Sequence, residues 1–130
     1  MNLTREQILN KVDIEIKEIP VPEWGGNIFI RQLSRGEQDT YLKRQYGDTR
    51  LKQDSKARNQ EISAVNIYGH DAYLCVCGIC NEDGTPVFKH TDVEDLKKKN
   101  GMVIGRIAVE IVKFSGMAGD IPVEDEVKNS

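Results

Sequence analysis

The sequence predicts a mainly helical α+β domain, in which an N-terminal β-hairpin packs with about four helices. Three observations carry this. Apolar residues alternate with polar ones at Ile14, Glu15, Ile16 and Lys17 and lead into a glycine turn, Trp24-Gly25-Gly26-Asn27. Ser/Thr-x-x-Glu/Gln pairs, the signature of a capped helix start, recur at Thr4/Gln7, Ser34/Glu37 and Thr91/Glu94. Two segments in the second half carry apolar residues at helical spacing.

Thr4 and Gln7 open a short helix through Ile8 and Leu9, which stops near Asp13. The period then changes to two, the mark of a half-buried strand. Pro20 and Pro22 cannot donate ladder hydrogen bonds, which places that stretch at a strand end or a sheet edge. After the glycine turn, Ile28, Phe29 and Ile30 form a compact β-prone run, closing a hairpin of residues 13–33. Ile28 and Ile30 share one face and Phe29 takes the other, so a hairpin apolar on both faces needs its second face covered.

Ser34 and Glu37 start the next helix, which Gly47 is expected to end just after Tyr46. Residues 48–58 hold Leu51 and Ala57 as their apolar members and read as a solvated loop. Ile62, Val65, Gly69, Ala72, Val76 and Ile79 follow at spacings of 3, 4, 3, 4 and 3, one face of a long helix. Asn81-Glu82-Asp83-Gly84 breaks it, and Pro86, Val87 and Phe88 are extended. Thr91 and Glu94 then cap a helix through Leu96, which Asn100-Gly101 interrupts. Val103, Ile104, Ile107, Ala108, Ile111 and Phe114 form the apolar face of a last helix ending near Gly116. Residues 1–119 are therefore read as one domain and residues 120–130 as an acidic tail.

The chain has 130 residues, 38 % hydrophobic and 30 % charged, enough for one modest core. Its net charge of −3 argues against a general nucleic-acid binder, which needs a basic excess to neutralise phosphates. No secretory signal opens it, and no apolar run reaches the ~18 residues of a membrane helix. Cys75, Cys77 and Cys80 are an odd number of cysteines, which fits a reducing cytoplasm better than an oxidising compartment.

Chemistry is scarce. The cysteines with His70 or His90 offer a zinc-like donor set. On a helix, however, Cys75 and Cys77 lie about 200° apart, and a second C-x-x-C pair is lacking. They are expected in or near the core as small apolar residues. Neither histidine has H-E-x-x-H spacing, and neither Gly25-Gly26 nor Gly116-x-x-Gly119 has the context of a phosphate loop. No catalytic, metal-binding or cofactor-binding residue is assigned. The residues proposed for partner contact are Trp24, Phe29 and Tyr41, because aromatic side chains are enriched at interface hot spots, together with the 48–58 stretch.

The order of motifs resembles that of the tail assembly chaperones of long-tailed phages and prophages. The resemblance rests on Val21-Pro22-Glu23-Trp24-Gly25, the capped Ser34/Glu37 helix, Asp83-Gly84-x-Pro86-Val87-Phe88, and Asp92-Val93-Glu94-x-Leu96. It spans nearly the whole chain. The departures are the three cysteines, where such chains carry aliphatic residues, and the polar stretch 48–58. The resemblance implies a non-enzymatic protein of the host cytoplasm, absent from the finished virion. It implies binding to the tape-measure protein, recruitment of tail-tube subunits, self-association and a longer frameshifted isoform, with neither nucleic acid nor membrane as partner. The competing readings are a tail structural or completion subunit retained in the virion, a small thiol- or zinc-dependent enzyme, and a bacterial regulator, which the acidic balance disfavours.

Overall fold

The computed structural model describes residues 1–53 and 70–117. Helix α1 (Arg5–Asn10) opens on the expected capping box. Gln7 N–H donates to Thr4 Oγ1 at 3.2 Å, and Thr4 N–H donates to Gln7 Oε1 at 2.9 Å. No residue of α1 is buried.

Strands β1 (Ile16–Val21) and β2 (Gly26–Arg31) form the expected antiparallel hairpin, with Ile16 opposite Arg31 and Val21 opposite Gly26. A 3₁₀ turn at Pro22–Trp24 joins them. It closes where Gly25 takes φ 77°, a left-handed conformation that favours a residue without Cβ. A third strand, β3 (Ile79–Cys80), pairs with β2 and leaves β1 at the edge, where Pro20 does no harm.

Helix α2 (Arg35–Gln53) begins at the Ser34/Glu37 box, with reciprocal bonds of 3.2 and 2.9 Å. It does not stop at Gly47 as expected, but runs six residues further, so residues 48–53 are helical and not loop. A glycine inside a helix costs about 1 kcal/mol, a penalty but not a stop signal. Residues 54–58 of the expected loop, and Ile62, Val65 and Gly69 of the long apolar face, lie outside the described residues.

Helix α3 (Asp71–Gly78) is buried on every side, from Ala72 to Gly78. A one-faced stripe therefore understates it: the helix of residues 101–114, the turns of residues 90–96, α2 and β3 surround it. The chain leaves the helix at Ile79, before the expected end, because Ile79 and Cys80 pair with Ile30 and Phe29. A tight turn follows, in which Asn81 N–H donates to the Thr85 carbonyl at 2.8 Å.

The expected Thr91/Glu94 box is replaced by one two residues earlier. The Asp92 carboxylate accepts from Lys89 N–H at 2.8 Å and starts a 3₁₀ turn, His90–Asp92, that runs into α4 (Val93–Leu96). Glu94 instead pairs with Lys97 at 3.2 Å. Asn100 caps the last helix, α5 (Gly101–Phe114), accepting from Met102 N–H at 2.9 Å.

The core lies between α3, α5 and one face of the hairpin, built on Val21, Ile30, Leu74, Ile107 and Ile111. Gly78 permits the closest approach: a Cβ there would stand 2.5 Å from Ile111 Cδ1. The C-terminus of α5 is tied to the β2–α2 joint. Leu33 N–H donates to Ser115 Oγ at 2.9 Å, and Gln32 Nε2 donates to the Phe114 carbonyl at 3.1 Å.

Candidate interaction site

Trp24 stands at the hairpin tip, 39 % exposed, neither folded into the core nor clear of the protein. It borders an open groove of about 590 Å³ whose apolar wall continues through Val87, Phe88 and Leu96. Asp92, Asp95 and Lys99 complete the lining and give it an acidic excess of one charge. The proline–valine–phenylalanine stretch after the Asn81 turn and the single turn of α4 thus meet the hairpin tip.

The tip is fixed from behind. Arg106 of α5 grips Glu23 with both terminal guanidinium nitrogens, donating at 2.7 and 2.8 Å. That bond is the chief reason the Glu23 carboxyl is held down at about 2, aided by its own backbone N–H. Met102 lies one turn before Arg106 and is 84 % exposed, and Val87 in the groove is 47 % exposed. Val87, Phe88 and Leu96 beside a half-exposed tryptophan form the kind of surface that partners bury.

A second apolar surface is the N-terminal arm. Leu3, Ile8, Leu9 and Val12 are between 56 and 87 % exposed.

Phe29 lies on the face of the hairpin away from Ile28 and Ile30 and is half-buried. Its cross-strand neighbours are Glu18 and Cys80, and the Gly84 turn approaches Ile16 along the same face. The chain thus partly covers that face itself. Tyr41 is 3 % exposed and packs edge-on to His70, with ring centroids 6.0 Å apart, so the structure places it in the core. Of the three residues proposed for contact, Trp24 is the one presented at a groove. Val87 and Leu96 read locally as ordinary strand and helix residues, and nothing in the sequence marks them for contact.

The cysteines are buried in the core. Burial pushes all three thiols up, Cys75 to about 12, with the Asp71 charge adding to the effect. Cys75 Sγ–H points to the Ile104 carbonyl at 3.6 Å. Neutral thiols in apolar surroundings are the opposite of the activated thiolate that catalysis or zinc ligation uses. Among the described residues, no group of three or more His, Cys, Asp or Glu is placed to hold a metal ion. Nor is any described helix long and apolar enough to cross a membrane.

A second concavity of about 730 Å³ lies between α2 and the His90 turn. Its charges are engaged within the protein. Arg44 stacks 4.4 Å above the Tyr73 ring, Tyr73 stacks on His90, Glu37 pairs with Arg31, and Glu94 pairs with Lys97.

Comparison with known proteins fits this architecture. No curated protein matches the chain. The solved tail assembly chaperone of bacteriophage HK97 shares its fold, with a TM-score of 0.52 at 20 % identity, over 78 % of this chain and 85 % of that one. The sequence profile of the phage tail assembly chaperones matches residues 4–129, nearly the whole chain, and the protein therefore belongs to that family.

Proposed function

We propose that this chain binds the tape-measure protein during tail morphogenesis, keeps it soluble in the host cytoplasm, and recruits the tail-tube subunits that displace it. It acts without catalysis, associates with copies of itself, and is left out of the mature virion. A longer frameshifted isoform and an acidic tail at residues 120–130, beyond a domain of residues 1–119, belong to the same reading.

The observation that carries this is the pair of exposed apolar surfaces on so small a domain, the Trp24 groove and the Leu3–Ile8–Leu9–Val12 arm. A protein that holds amphipathic helices in solution must offer apolar surface without a deep pocket, and a shallow groove beside a rigid aromatic does so. Family membership supplies the setting, tail assembly. The buried, protonated thiols speak against the enzymatic alternative.

Co-expression tests it. The tape-measure protein should partition into the soluble fraction with the wild-type chain, and into inclusion bodies alone or with a chain carrying Trp24→Ala and Val87→Asp. Equal solubility with and without the chain would remove the proposal.

A further inference from the structure

Helix α1 poses a physical problem that the single chain does not solve. Isolated helices shorter than ~12–15 residues are marginal in water. This one has six residues and buries none of them. It nevertheless carries a complete capping box, and Leu3 and Ile8 occupy the two positions of a hydrophobic staple. Leu3, Ile8, Leu9 and Val12 are left in water together. Such a segment is built to be covered.

The groove at Trp24 is the complementary half. Its wall of Trp24, Val87, Phe88 and Leu96 is apolar, and Asp92 and Asp95 outnumber Lys99. Residues 1–12 of the arm have the opposite balance, with Arg5 and Lys11 against Glu6, and Asp13 follows in the linker. We infer that the arm of one copy seats in the Trp24 groove of a second copy, which names the contact behind the self-association proposed above and rests on that part of the reading.

Reach argues for a second copy over the chain's own groove. The arm leaves the hairpin at its open end, where Ile16 pairs with Arg31, whereas Trp24 lies beyond the Val21–Gly26 pair at the other end. Glu15 is already held, because its carbonyl accepts from Gln32 N–H at 3.0 Å and its N–H donates to Gln32 Oε1 at 2.8 Å. Asp13 and Ile14 alone therefore link the arm to the hairpin, and they extend at most ~7 Å. The six residues of β1 alone span ~20 Å. Self-docking would need the linker to double back along the whole strand and would leave the near half of the arm, at Val12, short of the groove, while a neighbour has no such constraint. Arm and groove are different surfaces at opposite ends of the hairpin, so the contact is head-to-tail and leaves one arm and one groove open at the ends.

The test uses the purified full chain without client, read by sedimentation velocity over a concentration series. Wild type should associate with rising concentration. An arm variant, Ile8→Asp with Leu9→Asp, should stay monomeric with unchanged helix content, since α1 buries nothing. Trp24→Ala and, separately, Val87→Asp should also be monomeric, the second covering the case in which the first fails to fold. Mixing the arm variant with a groove variant should restore a one-to-one dimer that grows no further, because the pair holds one intact arm and one intact groove. A peptide of residues 1–14 added to the arm variant should shift the emission of Trp24, the sole tryptophan, to the blue. A wild type monomeric at all concentrations, variants that still associate, or a mixture that stays monomeric would each overturn arm exchange. So would a client helix that shifts Trp24 where the 1–14 peptide does not. Client capture by the arm variant is scored separately, so arm exchange can fail with the chaperone reading intact, and the reverse.

Discussion

Arg106 and Glu23, 83 residues apart in the chain, form a two-pronged ion pair at 2.7 and 2.8 Å that joins helix α5 to the tip of the hairpin. Both groups are solvent-exposed, so the pair adds little to global stability. Its effect is positional: it holds the residue next to Trp24 and so fixes the rim of the groove. Arg106→Gln should leave the fold intact and loosen the tip, lowering the fluorescence anisotropy of Trp24 and shifting its emission to the red. The Glu23 carboxyl is held at about 2, below its ordinary value of 4.5. The tie is therefore fully present above pH 4.5 and is lost as pH falls through about 2. In Arg106→Gln the acid-induced change in Trp24 emission should move up toward pH 4.5. Identical titrations for the two proteins would show that the pair does not position the tryptophan.

Gly78→Ala should destabilise the protein by about 1–3 kcal/mol, the usual cost of overpacking a close-packed core. The new methyl would meet three atoms of the fully buried Ile111 side chain within 2.8 Å. Urea denaturation checks this, and a midpoint equal to wild type would mean that α3 and α5 separate easily.

The thiols should be silent in the native state and reactive in the unfolded one. A colorimetric thiol reagent should label the three cysteines promptly in denaturant and very slowly without it. Cys75 rises from 9.0 to about 12 and Tyr73 from 10.0 to about 12, both chiefly through burial. The neutral forms are favoured in the folded state, so the stability they supply is fully present below pH 9 and declines as pH climbs from 9 to 12. A denaturation midpoint constant across that range would contradict the burial.

Trp24→Ala should weaken client binding at least ~10-fold, the effect of losing an interface aromatic worth 1.4 kcal/mol or more. Helix content by circular dichroism should hardly change. Collapse of the fold would assign Trp24 to the core instead.

Local chemistry made much of this fold legible. The Thr4/Gln7 and Ser34/Glu37 boxes, the glycine turn and the stripe from Val103 to Ile111 each depend on residues a few positions apart, and each stands where the sequence places it. What escaped depends on distant partners or on local bonds outside that signature. Asp92 accepts from Lys89 N–H and so starts the helical segment two residues before the Thr91/Glu94 pair, a bond between side chain and upstream backbone that the Ser/Thr-x-x-Glu signature does not reveal. The stripe through Ala72 and Val76 marks one face of helix α3 but not the burial of its other sides, which neighbours cover, and β3 exists because β2, some fifty residues earlier, offers Ile30 and Phe29 as partners. The groove was half legible. Trp24 stood out as an aromatic in a turn, whereas Val87 and Leu96 become its neighbours only when the chain closes, and Tyr41 shows nothing in sequence to mark it as buried.

The most direct measurement is an affinity capture of the tagged chain from cells producing the phage, with mass spectrometry of the eluate and of purified virions. The account predicts a very long helical tape-measure protein and a tail-tube protein in the eluate, and no copy of this chain in the virions. The chain recovered in virions at the level of a structural subunit, or an eluate holding neither partner, would contradict it.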